Sequence, residues 1–112
     1  MTNLEIPDDL APEARKAAEI LIAVAREELG HDPSAGCRSF YSAAEWRARG
    51  EEYGRQSLLV VVHDGGDLAP MLNYDYMCYP LIEELERKLR AVGLYAENCT
   101  CWYSAIYAVG PA

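Results

Sequence analysis

The residues best placed to do chemistry stand in one short run, His63-Asp64-Gly65-Gly66-Asp67. An imidazole flanked by carboxylates could act as a general base or hold a hard metal ion. Its position adds interest. It follows the carboxyl end of the strongest predicted strand, where α/β proteins often place ligands. Two glycines would let a ligand approach the backbone, but Asp64 and Asp67 would repel a phosphate. The competing reading is a turn in which Asp and Gly serve backbone geometry and His63 ends a strand. No catalytic spacing is matched, so the turn is the stronger reading.

A second set is the four cysteines, Cys37, Cys78, Cys99 and Cys101. Cys99-x-Cys101 with Cys78 and His63 could supply the four ligands of a tetrahedral zinc site. Structural zinc sites usually show two paired clusters, and here there is one pair with tight spacing. Free cysteine is also a common small core residue. A nucleophilic role for Cys99 or Cys101 would need electropositive neighbours to lower the thiol pKa, and the sequence offers none. Cys99 and Cys101 cannot readily bond to each other along a strand.

The third set is aromatic and acidic. Tyr74, Asp75, Tyr76 and Tyr79 fall in one short stretch, and Trp102, Tyr103 and Tyr107 fall on the last predicted strand. Such rings give rigid, amphipathic contact area and are enriched at interfaces. They could equally roof a core with their hydroxyls in water.

These groups must be positioned by a few elements. Leu10, Ala14, Ala17, Ala18, Leu21, Val24, Ala25 and Leu29 share one broad helical arc, which predicts a first helix. Asp8 or Asp9 is placed to cap it, Pro12 fits its first turn and Gly30 ends it. Glu28 breaks the apolar pattern in the last turn. Cys37 to Tyr41 reads as a short strand. Ser42 to Glu45 has capping-box spacing for a short helix that stops at Gly50 or Gly54. Ser57 to His63 is apolar and β-branched, as expected of a central strand covered on both sides. Leu81, Leu85, Leu89 and Val92 define a third helix closed by Gly93, with Pro80 in its first turn. Cys99 to Val109 alternates as a long strand, with Trp102 and Ser104 on one face and Tyr103 and Tyr107 on the other.

The 112 residues fit one α+β domain: a single small mixed sheet of about three strands with three helices packed on it, and a flexible segment at 1–9. No apolar run approaches the ~20 residues that cross a bilayer, and no signal-peptide pattern opens the chain. A cytoplasmic location with free thiols is therefore expected. Eighteen acidic residues against ten basic ones give a net charge of −8. No lysine or arginine falls between Arg55 and Arg87, while Asp64, Asp67, Asp75, Glu83, Glu84 and Glu86 all do. That balance argues against direct binding of nucleic acid or of anionic membranes. There is no phosphate-loop, dinucleotide or metalloprotease motif, and no cofactor is expected.

Together these readings predict a small acidic protein-binding or inhibitor module without catalysis. Its partner-binding residues are Asp64, Asp67, Tyr74, Asp75, Tyr76, Tyr79, Trp102, Tyr103 and Tyr107. In an extreme form, of the kind phages encode, it would mimic nucleic acid in a partner's basic groove. Two alternatives compete with this. One is a small enzyme or metal domain centred on His63, Asp64 and Asp67. The other is a homo-oligomeric structural protein, a homodimer or larger, assembled through an exposed edge of the last strand.

Overall fold

The computed structural model describes residues 4–51 and 53–110. The first helix, α1, spans Pro12–Leu29 and buries Ala14, Ala17, Ala18, Leu21, Val24 and Ala25. Its start differs from the expected one. Ala11 occupies the N-cap position without a side-chain hydrogen bond, and Pro12 opens the first turn, where its missing N–H has no partner to lose. The carboxyl end closes on Gly30 at φ 78°, whose N–H donates to the Arg26 carbonyl. Ahead of α1, Leu4 and Leu10 are buried in the main core, and Arg15 donates to the Pro7 carbonyl at 2.9 Å. Residues 1–3 of the segment expected to be flexible lie outside the described residues.

Strand β1 is two residues, Phe40–Tyr41. Helix α2, Ala43–Arg49, begins with the predicted capping box: Ser42 Oγ accepts from the Glu45 N–H, and the Glu45 carboxylate accepts from the Ser42 N–H. Arg38 adds two bonds to the same carboxylate, at 2.8 and 2.7 Å, which hold Glu45 below the ordinary glutamate pKa. The helix stops at Gly50.

Strand β2 (Leu59–Val62) is buried at all four positions, as a strand covered on both faces should be. A four-residue helix α3 (Ala69–Leu72), a 3-10 turn (Tyr74–Tyr76) and helix α4 (Tyr79–Arg90) lead to β3 (Leu94–Asn98) and β4 (Tyr103–Ala108). The α+β class is as predicted. Among the described residues the sheet has four strands rather than three, and four helices accompany it.

The strand order is β1-β2-β4-β3, with every neighbouring pair antiparallel. A mixed sheet was expected. The helical crossover does bring β3 back in the direction of β2, but the hairpin then lays β4 in the gap between them. β4 is consequently central, and the edges of the sheet are β3 and the two-residue β1. An assembly through the edge of the last strand has no such edge to use.

β4 also starts four residues later than the alternation suggests. Residues 99–102 form the hairpin turn instead: Cys99 and Thr100 both donate to the Tyr103 carbonyl, and Thr100 Oγ1 accepts from the N–H groups of Trp102 and Tyr103. Thr, Cys and Trp favour strands by composition, but these bonds bend the chain.

Period-two alternation splits the core by face. Phe40, Leu59, Val61 and Ile106 face α1, α3 and α4 in the main core. Val60, Val62 and Tyr103 face the other way and pack with Trp46 of α2.

Candidate functional site

His63 continues the alternation of Leu59 and Val61, so its ring enters the main-core side of the sheet. It is 1% exposed, and its N–H donates to the Trp102 carbonyl. Nε2 lies 2.9 Å from Ser104 Oγ, which also accepts from Asn98 Nδ2 at 3.2 Å. The imidazole and the Ser104 hydroxyl share one hydrogen bond, whose donor follows from the ring tautomer. Nδ1 is buried without a partner. Burial drives the pKa from 6.5 down to about 4, against a smaller opposing pull from the backbone and Asp64, so the ring is neutral at pH 7. The His–Ser distance suits a base and its nucleophile. Ser104 is 0% exposed, however, and a reacting group would have nowhere to sit. The pair joins β2 to β4 instead.

The rest of the predicted catalytic set separates. Asp67 turns back onto the Ser34 N–H at 2.8 Å, and its own N–H donates to the Ser34 carbonyl, so it clasps the loop ahead of β1. Asp64 points to solvent, and Gly65 takes the left-handed φ of 72° that the turn requires. The His63–Asp67 run is a turn in which His63 enters the core, Asp64 faces solvent and Asp67 holds Ser34. Nor do His63, Cys78, Cys99 and Cys101 converge: among the described residues, no group of three His, Cys, Asp or Glu side chains is arranged to hold a metal ion. Burial, with Glu97 nearby, pushes the Cys99 thiol up to about 11, the opposite of an activated nucleophile.

The aromatic set also divides. Tyr103 is 2% exposed, its ring edge-on to Trp46 at 4.9 Å, and its hydroxyl accepts from the Tyr53 N–H. Trp102 is half-buried in the same cluster, because the hairpin turn swings it to the side opposite its predicted face. Tyr103 thus belongs to the second core cluster, and Trp102 packs against it. Tyr107 is half-buried and stacks on Tyr95 at 5.4 Å.

The stretch from Tyr74 to Tyr79 is different. Tyr74, Tyr76 and Tyr79 expose about half of their surface and Met77 exposes 69%. The turn is fixed from its base by Asn73, which is 6% exposed. Asn73 Nδ2 donates to the Cys101 carbonyl at 3.0 Å, its Oδ1 accepts from the Asp75 N–H at 2.9 Å, and its carbonyl accepts from the Tyr76 N–H. Met77 then takes φ 55°, the one positive φ at a non-glycine among the described residues, and its N–H donates to the Tyr74 carbonyl. Two residues on, α4 begins.

Tyr79, Glu83 and Glu86 follow at i, i+4 and i+7, an outward stripe of α4 on which all three are exposed. Asn73 and Met77 were not singled out from the sequence. Asn two residues before Asp75 is a recognisable Asx-turn spacing, but nothing in composition announces a left-handed methionine.

Comparison with protein-family models, with curated proteins and with solved structures returns no match for this chain. What the fold and its surface define is a small antiparallel α+β domain that carries a rigidly anchored, tyrosine-rich turn at one end of its sheet. Among the described residues, no helix is long and apolar enough to cross a membrane.

Proposed function

We propose that this protein is a non-catalytic protein-binding module that docks its partner on the Tyr74–Tyr79 turn. The observation that supports this reading is Met77. A side chain in the left-handed region costs roughly 1–2 kcal/mol, and here that cost goes with the most exposed large apolar residue among the described residues. Packing does not explain such a display. Four large side chains fixed from below form a preorganised surface, which lowers the ordering cost of association. Asp75, Glu83 and Glu86 lie beside them and favour a partner with a basic rim, giving binding that weakens with added salt. The nucleic-acid-mimic form has less support, since Asp67 is tied to Ser34 and Glu84 pairs with Arg87.

The test is a photoreactive amino acid placed at Tyr79 and, as a control, at Lys16 on the outer face of α1, in cells of the native source. A discrete adduct at 79 and none at 16 is expected. Tyr76→Ala should then weaken the captured partner by about 2 kcal/mol, as a central anchor does. Adducts no more abundant at 79 than at 16 would defeat the reading.

A further inference from the structure

Glu28 breaks the apolar arc of α1, and the structure shows what lies in front of it. A cavity of about 390 Å³ opens between the last turn of α1 and the first turn of α4, floored by Val24, Pro80 and Leu81. A second, of about 240 Å³, shares Glu28, Cys78 and Leu81 with the first and runs on to Pro70 and Met71. Together they make one groove of a size that holds small molecules.

Its rim is acidic from both sides, with Glu27 and Glu28 on α1 and, on α4, Glu84, which also pairs with Arg87. Among the described residues no lysine or arginine lines either cavity, and Glu27 and Glu28 make no ion pair. Stability does not account for these two glutamates. They stand at the carboxyl end of a helix, where the backbone dipole is already negative and acidic side chains are unfavourable.

We propose that this groove binds a linear aliphatic diamine or polyamine. The proposal goes beyond the protein-binding reading and stands without it. Charge complementarity selects the ligand. An anion is repelled, and a neutral apolar molecule would strip water from carboxylates without pairing them. A bare metal ion lacks the cluster of oxygens it needs. A chain of methylenes ending in ammonium groups satisfies both parts of the groove, laying its CH₂ units on Val24, Pro80 and Leu81 and directing one charge to Glu27 and Glu28 and the other to Glu84. There it takes the place of the exposed Arg87 side chain, a surface pair that costs little to break.

The experiment is a methyl-resolved NMR titration of the intact protein with spermidine and with 1,4-diaminobutane at physiological salt. Val24 and Leu81 methyls should shift to saturation with a dissociation constant below about 1 mM, while Leu59 and Val60 stay fixed. 1-Aminobutane and 1,4-butanediol should bind much more weakly. Glu27→Gln/Glu28→Gln should weaken binding about tenfold or more, near 1.4 kcal/mol. Glu13→Gln/Glu19→Gln removes the same charge from the same helix outside the groove and should leave affinity within about twofold. All four positions are exposed, so both variants should fold, which a thermal melt checks. Non-saturating shifts, or equal loss in the two double variants, would mean that the amines act as general counter-ions and would overturn the proposal.

Discussion

Two turns at the same end of the sheet invite comparison, since α3 alone separates them in sequence. The His63–Asp67 turn carries the residue types of catalysis but ties two of them up within the chain. His63 bonds to Ser104, and Asp67 bonds to Ser34. The Asn73–Cys78 turn has the reverse arrangement. Its polar groups are satisfied at the base, and its large side chains are left unburied. Groups already partnered within the chain hold the fold together, whereas those displayed at a cost are available to something else.

The first way to break this contrast is His63→Ala. If the ring is structural, its loss opens a buried cavity and takes a partner from Ser104. A destabilisation of about 2–4 kcal/mol is expected in urea unfolding. Retained stability together with loss of a measurable activity would return His63 to the candidate catalytic residues.

The second uses pH. His63 is depressed from 6.5 to about 4 by folding, so between those values the unfolded chain binds a proton that the native chain refuses. Stability from this residue is therefore full above pH 6.5 and declines as pH falls toward 4, by at most about 3 kcal/mol. The depressed Glu45 has the same sign, but its contribution is lost only at lower pH, below the ordinary glutamate value. Unfolding free energies of wild type and His63→Asn between pH 7 and 4 should diverge at the high end and converge at the low end. Parallel curves would show that His63 titrates normally.

How far the sequence could be read follows the same division. Elements defined by local rules were legible: the apolar arc of α1, the Ser42–Glu45 box, the β-branched run of β2 and the leucine repeat of α4 each depend on neighbours within a few residues. β3 was not legible, because Leu94–Asn98 mixes Tyr, Ala, Glu and Asn and becomes a strand by pairing with β4. The burial of Tyr103 was hidden for a related reason. Alternation tells that two faces exist, but not that α2 covers one of them over Trp46. The exposed tyrosines were found and the buried ones misjudged, because ring type alone does not report which side of a sheet is roofed.

The smallest expected effect is also the most discriminating. At Met77 glycine removes the left-handed penalty of roughly 1–2 kcal/mol, but it also loosens the unfolded chain, which offsets about 0.4–1 kcal/mol. Met77→Gly should thus gain about 0.5 kcal/mol of stability, read as a small rise in the urea midpoint. Met77→Ala keeps the strain and removes only an exposed side chain, so it should be nearly neutral. If the turn is a docking surface, both variants weaken partner capture despite opposite or absent effects on stability, the trade expected where strain serves a site. A destabilised Met77→Gly would mean that the methionine packs against its surroundings more than its exposure suggests. The contrast between the two turns would then lose its clearest residue.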